Sequence, residues 1–491
     1  MNRTQIITLV IILLYMVATV LLGLYASNRK KSKLEKQSNE DFLMAGKSLG
    51  PLVLAGTLFA SNTGGASTTG IATNVYKYGL SSSWYVIAGG IGFIIVSFIA
   101  PYFRKTQANT VPEIISKRYG KPSHIVTAFT SIAALFMATG AQIIATASII
   151  NVVTGLDFNI AAIISTIVVI IYTMIGGYAS VTATNIMHVL FITIGMAIAM
   201  VVMVNNDAVG GFSALFEKAR TITGDSGEKL NLLSMGKIGF ATIFGYIAMY
   251  SMTFPTGQEI VQTYCSAKDG KSAKVGSLVA GVISAAYAIV PAIIGLLAYV
   301  CIDGYALKGI QKNALAEATI TFAPPILAGV VLAAIVAATM SSASGNMIGT
   351  ATMFTNDVFR PYINGGKKDD NKEVWISRVT MVAVGIVGLI ISLTAQNIIN
   401  VMMGAFALRS AGPFAAFICG IFNAKVTQRA GLVSIITGTL VAAIWIYGLG
   451  TPWGLSAMVP GGIAAFIVIF VVSLIDRKLG VEIAPEIQFY E

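Results

Sequence analysis

The chain has 491 residues, 56% of them hydrophobic and 11% charged, with a mean hydropathy of +0.79. These values exclude a soluble globular domain and describe a chain that spends most of its length in lipid. The formal charge of +11 invites a nucleic-acid reading, but the basic residues sit between apolar runs and no nucleic-acid partner is expected. Cys265, Cys301 and Cys419 are widely spaced and imply neither a disulfide framework nor a zinc site.

Apolar runs of about 20 residues, each able to cross roughly 30 Å of hydrocarbon, recur along the whole sequence. They predict an all-α polytopic membrane protein with thirteen spans. The spans are 5–26, 51–75, 82–103, 124–153, 158–176, 181–206, 238–264, 275–302, 324–354, 378–396, 399–422, 431–450 and 456–475. The first lacks a small-residue cleavage site and exceeds a signal-peptide core, so it counts as a span. The second interrupts itself at Ala60-Ser61-Asn62-Thr63-Gly64-Gly65, and the seventh at Thr253-Phe254-Pro255-Thr256-Gly257-Gln258. Lipid cannot hydrogen-bond freed backbone groups, so such breaks survive only where protein encloses them. A pair of breaks in corresponding places of two halves points to the binding site of a secondary transporter.

Alternate connections differ sharply in charge. One set holds 23 lysines and arginines and the other eight, with Arg409 alone inside a span. The positive-inside rule then places the N-terminus outside and the C-terminus in the cytoplasm of a cell membrane. Without the first span, spans two to six and seven to eleven form two groups of five. An odd group size makes the second group enter with opposite orientation, as an inverted repeat requires. The expected organisation is 1–49, a first helix and basic loop; 50–206, the first repeat; 207–237, an external linker; 238–422, the second repeat; and 423–491, two peripheral helices and a tail. The run Asn364–Asp370 reads as a solvated cytoplasmic loop.

The ninth span carries Ala338-Thr339-Met340-Ser341-Ser342. Mid-membrane hydroxyls can bond back to the carbonyl four residues earlier, or they can serve a hard cation, which takes oxygen ligands. With free carbonyls at the first break, Ala60, Thr63, Ala338, Ser341 and Ser342 would form a five-oxygen cage. It contains no carboxylate, so it suits Na⁺ better than a divalent ion.

At this point the sequence resembles the sodium:solute symporters. The resemblance rests on Asp41–Pro51, on Thr110-Val111-Pro112-Glu113 with Arg118-Tyr119, on Tyr172–Tyr178, on Gly257–Gln262 and on 337–342. It runs in order from about 40 to 440. It implies a LeuT-type 5+5 inverted repeat with one extra N-terminal and two extra C-terminal helices, alternating access, and a sodium site at the five positions just named. The sequence departs from the family where many members carry an aspartate, reading Asn185. It reads Gly345 at the position of a second sodium in the sialic acid branch, and Asn62 where the proline branch has an aspartate. Thr263 replaces the family's arginine, and the late Gly-Ala signature is inverted as Ala430-Gly431. One Na⁺ per cycle is therefore expected.

Ionisable groups within lipid default to functional hypotheses. Arg409 lies roughly 15 Å deep at about 1.5 Å per residue. Its guanidinium either meets a substrate carboxylate or pairs with Glu259 as a gate. His188 suits a proton relay or is a core histidine with satisfied nitrogens. Ser61, Asn62, Phe136, Gln142, Tyr250, Ser251, Phe254, Gln258 and Arg409 are expected around the solute, with plain helix packing the alternative for the aromatic and amide residues among them. The expected function is Na⁺-coupled symport of a small organic solute, carboxylate-bearing on account of Arg409, by a chain for which a monomer among membrane lipids suffices. Proton-coupled or cation-independent transport is the alternative, motivated by Asn185, Asn62, Glu259 and His188. With two histidines and almost no buried acids, an intramembrane enzyme is disfavoured, and no filter-like repeat suggests a channel.

Overall fold

The computed structural model describes residues 3–31, 49–106, 108, 110–367, 369–395 and 397–489. It does not describe the side chains of 20, 23–31, 172, 175–186, 370 and 371. The Asp41–Lys47 motif therefore lies outside the described residues, as do the side chains of Asn185 and of most of 172–178.

The described chain is nearly all helix, with isolated bridges between Leu49 and Ala267 and between Thr223 and Lys229 as its only extended pairings among the described residues. The first repeat expected from sequence holds α1 (Arg3–Lys31) before it, then α2 (Pro51–Asn62), α3 (Ile71–Tyr78), α4 (Trp84–Val96), α5 (Ala100–Lys105), α6 (Val111–Thr154), α7 (Phe158–Leu190) and α8 (Met196–Val204). After α9 (Gly211–Thr221) come α10 (Phe240–Thr253), α11 (Gln258–Cys265), α12 (Gly270–Tyr287), α13 (Ile289–Cys301), α14 (Ala314–Phe322), α15 (Pro325–Met353), α16 (Asp370–Thr394), α17 (Ile398–Ser410) and α18 (Pro413–Ile421). Two further helices, α19 (Gln428–Ala443) and α20 (Met458–Lys478), pack on each other. Among the described residues eight helical stretches are long and apolar enough to cross a membrane, or nine if α17 and α18, bent by 50°, count as one.

Local chemistry explains where the boundaries moved from the expected ones. The predicted loop before residue 124 is helical from Val111, because Thr110 accepts the Glu113 N–H at 3.1 Å and Pro112 sits in the first turn. The chain then kinks at Gly120, whose φ of +76° few other residues tolerate. The ninth span runs past its predicted end into a wide turn, Phe354–Ile363. The eleventh bends at Gly412-Pro413, where proline supplies no donor to the ladder. The linker is not plain loop, since it holds α9.

Both ends of the 158–206 stretch meet the segment 312–322. Phe158 lies under the Lys312 ammonium, and Asn206 donates to the Phe322 carbonyl at 3.0 Å. The chain thus enters and leaves this stretch on the same face, as two spans require.

Candidate functional site

The first break falls where the sequence places it. The α2 ladder ends with the Thr63 N–H on the Phe59 carbonyl at 2.8 Å, so the Ala60 carbonyl is the first without its helical donor. Thr63 leaves helical geometry (φ −97°, ψ 66°). Other freed groups are satisfied within the protein: Ser67 Oγ donates to the Asn62 carbonyl at 2.5 Å and Thr68 Oγ1 to that of Gly64 at 2.9 Å. The Gly65 N–H donates to Gln142 Oε1 at 2.7 Å. The second break separates α10 from α11 at 254–257, where Pro255 cuts the ladder. Thr256 Oγ1 donates to Ser410 Oγ at 2.7 Å, fixing that break to α17.

Between the two breaks lies a cleft of about 490 Å³, its volume including space open to solvent. Of the nine expected solute residues, Ser61, Asn62, Gln142, Tyr250, Phe254 and Arg409 line it. Phe136, Ser251 and Gln258 do not. Phe136 packs against Leu135 and Met353, and Ser251 Oγ bonds back to the Ile247 carbonyl at 2.7 Å. Gln258 Oε1 accepts the Val111 N–H at 3.0 Å, serving the start of α6.

The cleft also gathers residues the sequence reading passed over: Tyr85, Asn346, Met402 and Phe406. Asn346 carried a usable signal, since it lies one helical turn after Ser342 and is the one amide in that helix. Phe406 stands three residues before Arg409, on the same helix face. Tyr85 carried none, because its place depends on α4 packing against α10. There its ring meets Tyr250 edge-on at 5.5 Å, and Tyr250 meets Phe254 and Phe406 at 5.1 and 5.8 Å. This aromatic wall gives the cleft an apolar face, and Asn62, Gln142 and Asn346 place polar groups in its lining.

Arg409 does not face the cleft as a free cation. Its Nη1 donates to Glu259 Oε2 at 2.8 Å and its Nη2 meets Oε1 at 2.7 Å, a two-pronged pair. The guanidinium is 3% exposed and lies 5.0 Å from the Phe406 ring centroid. Its Nε has no partner among the described residues. Both members of the pair line the cleft.

A narrow seam beside the first break brings together Ala60, Thr63 and Ala338 from the expected sodium set, with Phe59, His188, Val189 and Ile192. Ser342 turns instead toward the cleft, and its Oγ, like Thr63 Oγ1, is buried without a partner among the described residues. Ser341 is buried on the same helix, outside both linings. Of the five expected ligands only Ala60, Thr63 and Ala338 line the seam, and their neutral oxygens suit a monovalent cation better than a divalent one. His188 corrects the expectation of a satisfied core histidine. It is 1% exposed, packs near Tyr15, and neither ring nitrogen has a partner among the described residues.

A membrane protein with broken helices meeting at a cleft, and a neutral-oxygen seam beside one break, is a secondary transporter of LeuT-type fold. The profile of the sodium:solute symporter family matches residues 42–438, and the chain belongs to that family of Na⁺-coupled symporters. It is 25% identical over 482 residues to the osmoregulated proline transporter OpuE of Bacillus subtilis strain 168, covering 95% of this chain and 94% of that one. It is 26% identical to a sodium/proline symporter of Staphylococcus aureus strain JH9, covering 96% and 93%. Among solved structures, a substrate-bound, outward-open Na⁺-coupled sialic acid symporter superposes with a TM-score of 0.76 at 18% identity over 98% of both chains. A nucleobase-cation-symport-1 family transporter in a closed conformation gives 0.56 at 14% identity over 90% and 96%.

Proposed function

We propose that the solute carries a carboxylate and enters with one Na⁺ per cycle, an amino acid such as proline being the first candidate. The observation that carries this reading is the buried Arg409–Glu259 pair in the cleft wall, with the Arg409 Nε–H unpartnered. A bound carboxylate takes that donor, and a solute ammonium or imino group gains from Glu259 beside it. The pair is neutral overall, so it favours a zwitterion over a simple anion, which would meet the Glu259 charge. The two relatives' names, both of proline transporters, agree with a solute of this chemistry.

In this cycle the cation binds first. The Ala60 and Thr63 carbonyls on one side, and the Ala338 carbonyl with the Ser341 and Ser342 hydroxyls on the other, draw α2 and α15 together. Ser342, which lines the cleft from the helix that carries Ala338, links that step to the solute cavity. The solute then fills the space between the breaks, and one bundle rocks against the other. The repeats are 50–206 and 238–422, with the N-terminus outside, the C-terminus in the cytoplasm and the last two helices peripheral. Nothing in this cycle requires covalent chemistry or a second subunit, and lipid serves as solvent.

The test is uptake into proteoliposomes under an inward Na⁺ gradient, using labelled L-proline beside other amino acids, monocarboxylates, pantothenate and sugars. Uptake indifferent to Na⁺ sinks the coupling, and uptake of sugars alone sinks the zwitterion. A second reading, proton coupling, has one observation in its favour: His188, with both nitrogens unpartnered, lies in the seam itself. Uptake driven by a pH gradient without Na⁺ would select it.

A further inference from the structure

The solute cleft and the first broken helix share one side chain. Gln142 lines the cleft, and its Oε1 accepts the Gly65 N–H at 2.7 Å, in a buried bond between residues 77 apart in sequence. The fit is close. A Cβ on Gly64 would lie 2.6 Å from Oε1, and one on Gly65 2.3 Å from the Ala145 Cβ, so only glycines let α6 approach the break. The same residue reaches the other cation-bearing helix. Its carbonyl accepts the Thr146 hydroxyl at 3.1 Å, and Thr146 Oγ1 is 2.8 Å from Thr339 Oγ1, one residue after Ala338. One turn of α6 is therefore hydrogen-bonded both to the break that carries Ala60 and Thr63 and to the segment that carries Ala338.

We propose that Gln142 is the positioning residue that couples solute to cation. By holding the Gly65 N–H it fixes the break with the Ala60 carbonyl turned to the seam. A solute in the cleft, touching the same amide, tightens or loosens that hold. Gln142 contributes no atom to the cation. It acts through the backbone of 60–65, and this assignment rests on the cation seam and solute cleft argued above.

The geometry requires an acceptor at the end of the side chain, since a freed N–H in a buried break has no water to turn to. The experiment is a Na⁺ titration of the purified full-length protein in detergent, read by thermal stability, with K⁺ holding ionic strength constant. It is run without solute and with 10 mM L-proline. Gln142→Leu is expected to weaken the apparent Na⁺ affinity at least tenfold without solute, and to erase any effect of L-proline on it. Gln142→Glu, which keeps the acceptor, retains the wild-type Na⁺ response. If Gln142→Leu binds Na⁺ within twofold of wild type, the proposal is overturned. Should that variant not elute as a monodisperse peak, Gln142→Met, of nearly the same shape, carries the same test. Ser341→Ala separates the two levels of inference. If it leaves the Na⁺ response intact, the cation seam itself is misassigned; if it abolishes the response while Gln142→Leu does not weaken it, only the coupling role fails. If L-proline leaves wild-type Na⁺ affinity unchanged, the solute assignment falls and the Na⁺ arm decides alone.

Discussion

Cutting the Arg409–Glu259 pair is expected to cost most of what an isolated buried charge costs. Arg409 is 3% exposed and makes two charge-assisted contacts at 2.8 and 2.7 Å, while the Glu259 side chain is 21% exposed. Breaking a buried pair by removing one partner typically costs about 3–5 kcal/mol, because the other charge is left unsolvated. Glu259→Ala leaves the guanidinium with only the Phe406 ring, whose cation–π attraction is worth about 1–2 kcal/mol when desolvated. The expected loss is therefore about 3 kcal/mol. Arg409→Met is expected to cost less, about 2 kcal/mol, because Glu259 retains some access to water. Removing both together should cost far less than the sum, leaving a coupling energy of at least about 1.5 kcal/mol. The assay is reversible unfolding in mixed micelles, run as a double-mutant cycle in the absence of solute. Additivity within about 0.5 kcal/mol would refute the argument, since it would mean that the two charges do not depend on each other in the folded protein.

Other consequences are as direct. Gly412→Ala should prevent accumulation of folded protein, because its Cβ would sit 2.0 Å from the Ile435 carbonyl oxygen; normal yield and stability would show that the α17–α18 bend is looser than the geometry states. Ser342→Ala should weaken solute and Na⁺ responses together, measured as shifts in apparent affinity in the same preparation, because its hydroxyl faces the cleft from a cation-bearing helix. Tyr76 donates at 2.5 Å to Oδ1 of Asp225, in the segment between the two expected repeats, and this hydrogen bond holds the Asp225 carboxyl below its usual pKa. A depressed carboxylate contributes its stability above the unfolded pKa, about 3.9, and loses it as pH falls through the folded value. Hydrogen-exchange protection in 222–232, taken relative to the intrinsic rate at each pH, should therefore fall below about pH 4 in the wild type, and the acid step should vanish in Tyr76→Phe. A step of equal size in both proteins would assign it elsewhere.

Much of the architecture was legible because lipid makes backbone errors so costly. A Gly-Gly and a Pro-Thr-Gly inside apolar runs cannot be hidden in hydrocarbon, and both breaks lie where those residues stand. Of the five oxygens expected around a cation, the structure brings Ala60, Thr63 and Ala338 to one seam and leaves Ser341 and Ser342 outside it, a division that only helix packing decides. Boundaries were less legible: the capping of α6 by Thr110 and the proline bend at 413 are local signals that the apolar pattern overrode. Residues that interact across the fold had only weak sequence signals. Arg409 and Glu259 are 150 positions apart and Gln142 and Gly65 are 77 apart. Composition could place an arginine in the membrane, but only packing decided that Glu259 claims two of its nitrogens and leaves the third without a partner among the described residues. In the same way the sequence determined that the second span breaks, and the tertiary structure decided which neighbour holds the broken end. Local chemistry sets where backbone groups come free, and the approach of helices distant in sequence sets what satisfies them.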